Sequence, residues 1–261
     1  MSIIATIKSR YNDYNFLFEE LVKRDFKSRY KGTALGILWS MLGPLLQILV
    51  MTLVFMNFFG RDMPHFIIYV FCGQKVFQFF RESTSQGMAS LMGNSGIITK
   101  IKVPKYIFLL SKNVASLLNF GMMLVVFFIF AWFDGVKITP HFFLLIYPTI
   151  TIMVFNIGVG LVLSALFVFF KDIQYLYDIF CMLLMWISAI FYSIDTFSIQ
   201  TQRLFLLNPI FAHIHYFRLV VLGGLTPAWH IHVICAGYAI GAMLLGAFFY
   251  KRYNYRFVYY M

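Results

Sequence analysis

Two histidine pairs, His213-x-His215 and His230-x-His232, have the residue type and spacing that first suggest chemistry, because paired imidazoles can hold a metal ion. Two residues apart on a helix, however, side chains point about 200° away from each other, so these read as packing or interfacial histidines. The carboxylates are few. Asp62, Asp134 and Asp195 are isolated in sequence, and Asp172 and Asp178 flank one end of an apolar run. An ion-coupled carrier or proton relay needs ionisable groups buried in mid-membrane, and no such pair stands out. Cys72, Cys181 and Cys235 are an odd, scattered set, which fits neither a disulfide framework nor a zinc site. No Gly-x-x-x-x-Gly-Lys-Ser/Thr motif occurs, nor any Gly-Lys pair, so a phosphate-cradling loop is not expected. Lys75 is a charge well inside an apolar run. Three readings of it stand open: it can snorkel, line a water-filled path, or contact an anionic substrate.

The elements that must carry these residues are apolar. The chain is 61% hydrophobic and 12% charged, whereas a soluble domain has about 25% charged residues. Only a bilayer can take up so much apolar surface. Charge-free or nearly charge-free runs mark six spans, at 33–60, 66–82, 111–133, 140–170, 173–194 and 230–250. The backbone in lipid must be helical or a closed barrel, and barrel alternation is absent. The fold class read from the sequence is therefore all-α membrane protein with six transmembrane helices.

Basic residues fix the orientation. With the N-terminus inside, sixteen Lys and Arg fall in inside segments and four outside, which favours both termini in the cytoplasm and an even number of crossings. The net charge of +11 follows from this asymmetry rather than from nucleic-acid binding, since no basic face is free of membrane helix. The segment 196–225, broken by Asn208-Pro209 and carrying Arg218, then reads as a re-entrant helical hairpin in the outer leaflet before the last span. Residues 1–31 read as an amphipathic interface helix, with Tyr14, Leu17, Phe18, Leu21 and Val22 on one face and Phe16 off it. The other reading is a cytoplasmic helix packed on other protein. Residues 86–105 form a cytoplasmic segment and 251–261 a cytoplasmic tail. The N-terminal residues lack the pattern of a cleavable leader.

Several short motifs in order resemble one family. Arg24-Asp25-Phe26-Lys27-Ser28-Arg29-Tyr30-Lys31, then Leu35-Gly36-Ile37-Leu38-Trp39 and Pro44, resemble the start of bacterial polysaccharide-export permeases of the type-two ATP-binding-cassette exporters. These include O-antigen, group-two capsule and teichoic-acid permeases. Asn94, Ile97-Ile98, Lys100, Val103 and Pro104, then Phe169-Phe170-Lys171-Asp172, Asn208-Pro209 and Tyr255-Arg256-Phe257, continue the resemblance in order. Gln74-Lys75-Val76-Phe77 departs from the Pro-Trp-aromatic cluster often found there, and Lys171 stands where arginine is usual.

The resemblance implies a multi-pass permease of the bacterial plasma membrane. It would be a homodimer resting on two cytosolic ATP-binding-cassette subunits, which would hold the ATP and magnesium; no cofactor is expected in this chain. Asn94, Ile98, Lys100, Lys102 and Pro104 would contact the ATPase. Arg24, Lys27, Arg29 and Lys31 would lie at headgroup level, either attracting the pyrophosphate of a polyprenyl-linked glycan or simply anchoring the chain. Phe71, Lys75, Phe77, Phe80, Trp186, Phe191 and Tyr192 would line the glycan path, since aromatic rings stack on sugar C–H faces. An exporter of drugs or small lipids from the same superfamily is the nearest rival. An ion-coupled carrier would want inverted repeats and coupling carboxylates, and a lipid glycosyltransferase would want an acid-rich site.

Overall fold

The computed structural model describes residues 3–28, 31, 32, 35, 36, 38–59, 64–101 and 103–260. Arg29, Tyr30, Ile37, Arg61, Asp62 and Lys102 lie outside the described residues, as do the side chains of Lys8, Arg10 and Pro44. In order, the helices are α1 (Ile3–Ser28), α2 (Leu38–Phe59), α3 (Phe66–Ala89), α4 (Ser95–Ile98), α5 (Tyr106–Phe133) and α6 (Ile146–Phe169). They continue with α7 (Ile173–Ile187), α8 (Ile199–Phe205), α9 (Pro209–Val221), α10 (Trp229–Tyr253) and α11 (Phe257–Tyr260). Tight 3-10 turns at Met92–Asn94 and Pro140–Leu145 lead into α4 and α6. No strand occurs among the described residues.

Three helical segments are long and apolar enough to cross a bilayer, Tyr106–Phe133, Pro140–Phe169 and Trp229–Tyr253, among the described residues. The α8–α9 pair, bent by 110°, would make a fourth if it were one span. Local chemistry sets that bend. Ser198 caps α8 by accepting from the Thr201 N–H, and Asn208 caps α9 by accepting from the N–H groups of Ile210 and Phe211. Pro209 follows at the first helical position, where its missing N–H costs nothing. Asn208-Pro209 therefore does not merely interrupt an apolar run; it ends one helix and starts another.

Some boundaries differ from those read in the sequence. The run expected to span 173–194 is helical only to Ile187, because Ala189 adopts a left-handed backbone with φ 48°. At 1.5 Å per residue α7 is only about 22 Å long, short of a hydrocarbon core of about 30 Å. α3 runs seven residues past the expected end at 82, and α5 begins five residues before the expected start at 111, right after the Pro104–Lys105 turn.

The core is shared by α3, α5, α6, α9 and α10. Phe79 stacks on Phe120 with ring centroids 4.7 Å apart, and Phe71 meets Phe127 edge to face at 5.2 Å. Lipid tails are as apolar as leucine, so close packing rather than water exclusion holds such helices together. The tightest seam joins α6 to α10. A β-carbon on Gly158 would lie 2.3 Å from the Ala242 carbonyl carbon, and one on Gly246 would lie 2.4 Å from the Gly158 oxygen. Gly158→Ala is expected to destabilise the fold by about 2 kcal/mol, the usual cost of overpacking. Gly121→Ala, which meets nothing within 4 Å, should be close to neutral in the same thermal-unfolding measurement in detergent.

Candidate functional site

At the end of the bundle that carries α1, a buried ionic network ties three elements together. Leu21 and Asp25 are buried in α1, with Tyr14, Leu17 and Phe18 packed on the same cluster beside α5. Asp25 Oδ1 accepts from Arg24 Nη2 at 2.9 Å and from Lys112 Nζ of α5 at 2.8 Å. Ser111 Oγ donates to Asp25 Oδ2 at 3.2 Å. Arg24 Nη2 also reaches Asn94 Oδ1 at 2.9 Å, and Asn94 Nδ2 donates to the Ser90 carbonyl at 2.7 Å. Two cations on one buried carboxylate satisfy it fully and leave the pair of helices with fixed register. The α3–α5 connection is thus clamped to α1 rather than free to swing.

Lys100 is exposed and Pro104 half-buried on that same connection, whereas Ile98 is buried. Lys27 and Lys31 are exposed. Lys105 donates to the main-chain and side-chain oxygens of Asn254 beyond α10, and burial lowers its pKa below that of a free lysine.

In the middle of the bundle α3 carries a polar stripe. Lys75, Gln78 and Glu82 recur at helical spacing and share a cavity of about 10 Å³ with Ser116 and Asn119 of α5, room for one water. Lys75 Nζ donates to Gln78 Oε1 at 2.9 Å, and Asn119 Nδ2 donates to Glu82 Oε2 at 3.2 Å. One turn on, Gln78, Arg81, Glu82, Ser85 and Gln86 line an open groove of about 300 Å³. Arg81 reaches Asp178 of α7 at 3.4 Å. Phe71, Lys75, Phe77, Phe80 and Phe191 are buried in the packed interior of the chain, while Trp186 is about half exposed and Tyr192 half-buried. The seven residues expected to line a path thus form a buried group and an accessible pair, not one surface.

At the opposite end Arg218 holds the break after α7. Its Nη1 donates to the Ala189 carbonyl at 2.9 Å and to Tyr69 Oη at 2.8 Å. Its Nη2 donates to the Ile190 and Tyr69 carbonyls at 3.0 and 3.3 Å. The guanidinium carbon lies 3.4 Å from the Tyr69 ring centre. Gly73 makes room for it: a β-carbon there would sit 2.8 Å from Arg218 Nη2. Asn208 adds a further tie to this region, donating to Ser188 Oγ at 2.9 Å.

The histidine pairs diverge. His213 bonds Thr151 and the Pro209 carbonyl, while His215 stacks on Phe211. His232 meets Tyr216 Oη at 2.9 Å, and His230 packs edge-on against Trp229. Among the described residues no three His, Cys, Asp or Glu side chains gather as a metal site would need.

Residues 17–222, most of the chain, from the second half of α1 through α9, match the ABC-2 type transporter family. The chain belongs to that family. Membership sets it in a membrane as a multi-pass protein and implies an ATP-binding-cassette partner. An O-antigen export system permease of Klebsiella pneumoniae is 27% identical over 260 residues, which is 97% of this chain and 98% of that one. A Myxococcus xanthus O-antigen export system permease is 27% identical over 212 residues, 80% of each chain. A polysialic acid transport protein of Escherichia coli is 22% identical over 210 residues, 79% of this chain and 81% of the relative.

In this ABC-2 chain, sequence reasoning did not single out Asp25, Lys112, Glu82, Asn119 or Arg218 as a site. Signals existed for several. Asp25 follows Leu21 by four residues on the buried α1 face, and Lys75, Gln78 and Glu82 sit at i, i+3 and i+7. Asp25→Asn should weaken α1 docking by about 2 kcal/mol, since hydrogen bonds to charged groups are worth more than neutral ones. The measurement is faster proteolysis at Arg24 and Lys27 with the rest of the bundle protected. Arg218→Lys should destabilise nearly as much as Arg218→Met in thermal unfolding, because a single ammonium cannot span four acceptors; full rescue by lysine would refute the clamp.

Proposed function

We propose that this chain is the membrane subunit of an ATP-driven exporter. The cargo is a polyprenyl-pyrophosphate-linked polysaccharide of O-antigen, capsule or teichoic-acid type, moved outward across the bacterial plasma membrane. The observation that carries this reading is the likeness to an O-antigen export permease over nearly the full length of both chains. The geometry supports it chemically. A polymer rich in hydroxyls needs hydrogen-bonding groups inside an otherwise apolar bundle, and the α3 groove supplies amide, guanidinium, carboxylate and hydroxyl groups along one stripe.

In this reading six elements cross: α2, α3, α5, α6, α7 with its 188–194 extension, and α10. The α8–α9 hairpin is re-entrant from the outer side, and both termini are cytoplasmic. The chain works as a homodimer on two ATPase subunits. α7 buries only Tyr177 and Cys181, and its exposed Leu176, Ile179 and Leu183 suit a second copy better than a solitary bundle. The passage then lies beside α3 and α7, with Trp186 and Tyr192 accessible to sugar rings and Phe71, Phe77, Phe80 and Phe191 supporting the wall from behind.

ATPase movement enters through residues 86–105, with Lys100 and Pro104 accessible on its surface. The Asp25 network passes that movement to α1 and α5. Lys27 and Lys31 remain free to meet headgroup phosphates.

Co-expressed with a candidate ATP-binding-cassette ATPase, the chain is expected to purify as a four-chain complex whose ATP turnover responds to lipid-linked glycan. A chain that stays monomeric, or moves cargo alone on an ion gradient, would end the proposal. Arg81→Ala and Trp186→Ala should slow export several-fold while complex yield holds. Phe77→Ala should instead lower yield, because emptying a buried phenylalanine site costs about 3–5 kcal/mol.

A further inference from the structure

A groove of about 480 Å³ lies between the start of α5, the middle of α6 and the last turns of α10, and the proposed transport path makes no use of it. Its walls are apolar, with Leu109, Leu161, Met243 and Ala247 among them. Its rim is polar and basic, formed by Lys105, Lys251 and Asn254, and among the described residues no carboxylate lines it. Leu244, Leu245 and Phe248 on the same stretch of α10 are exposed, so this flank of the bundle is apolar on its outside. Lys251 and the neighbouring Arg252 are exposed at the point where the apolar helix gives way to charge.

One side chain on the groove is unfinished. Tyr250 lines it and is more than nine-tenths buried, yet its hydroxyl has no hydrogen-bond partner among the described residues. A buried hydroxyl without an acceptor is costly. The groove therefore combines an apolar slot, a cation at its mouth and a donor awaiting an oxygen. A peptide would bring its own N–H groups to apolar walls that cannot receive them. A lipid brings ester and phosphate oxygens and a hydrocarbon tail.

We propose that this groove binds an anionic phospholipid as a resident ligand. One acyl chain lies along Leu109, Leu161, Met243 and Ala247, the phosphate sits at Lys251, and a lipid oxygen accepts from Tyr250. Placing that lipid in the cytoplasmic leaflet rests on the orientation proposed above; the binding itself does not. The charge preference follows because a lysine at a membrane surface favours anionic lipid by about 1 kcal/mol, roughly fivefold in affinity.

The test is native mass spectrometry of the full chain with its ATPase partner, released from vesicles of equal phosphatidylglycerol and phosphatidylethanolamine. The wild-type complex should retain phosphatidylglycerol over phosphatidylethanolamine. Lys251→Glu should cut that retention about fivefold or more. Ala247→Trp, which fills the slot from an exposed position, should abolish it without lowering yield. Equal retention of both lipids by the wild type, or unchanged retention in Ala247→Trp, overturns the proposal. Loss of glycan export in Ala247→Trp with phosphatidylglycerol still bound would assign the groove to the cargo lipid and likewise overturn it. A Lys251→Cys variant reports orientation separately, since Cys72, Cys181 and Cys235 are all buried. Labelling from outside by an impermeant maleimide would sink the proposed topology while leaving the lipid site standing.

Discussion

A peptide group in hydrocarbon must find a partner within the protein, and this constraint governs the end of the bundle where α7 gives way to α8 and α9. The chain leaves helix at Ser188, and the carbonyls of Ala189 and Ile190 lose their helical donors. Each unsatisfied group in an apolar setting costs several kcal/mol. A buried guanidinium with no acceptors would be worse still. Brought together, the two liabilities largely offset each other: Arg218 turns its two terminal nitrogens to those carbonyls and to Tyr69, leaving Nε without a partner, and among the described residues no carboxylate touches it. The glycine at 73, the aromatic at 69 and the cap at 208 all serve that arrangement. It lets the chain leave helix after Ile187 without stranding those carbonyls.

The opposite end solves a different problem by the same means. There a carboxylate is buried, and two cations and a hydroxyl complete it. Because one of those cations also binds Asn94, the connection between α3 and α5 and the N-terminal helix share a single charge centre. A load applied to that connection reaches α1 and α5 through hydrogen bonds rather than through loose apolar contact. Between these two ends lies the α3 stripe, where Lys75 and Glu82 remain polar because α5 contributes Asn119 and Ser116 to their cavity.

Helix placement was largely legible in the sequence, because hydrophobic runs and Pro or Asn-Pro breaks report directly on what a bilayer tolerates. The ends were less so. Nothing in the apolar run 173–194 marks Ala189 as the residue that turns back, since the cause lies thirty residues later in Arg218. Arg218 itself was visible as a charge in an apolar segment, but its acceptors belong to α3 and to the loop after α7, which only folding brings near. Asp25 was read as part of a motif rather than as the carboxylate on which Arg24 and Lys112 converge. The aromatics at 71, 77 and 80 are candidates for a path lining by residue type, and type cannot distinguish a ring facing a passage from one packed on Phe127 or Phe155.

The glycine seam between α6 and α10 has a mechanical consequence. Backbones that touch without intervening side chains cannot slide by small rotamer adjustments, because each displacement drives main-chain atoms into one another. These two helices therefore act as one stiff strut. Changes of shape must be taken up where contact is sparse, and α7, which buries two residues, is where the bundle can yield. Rigidity in one pair of helices thus decides which helix is free to move.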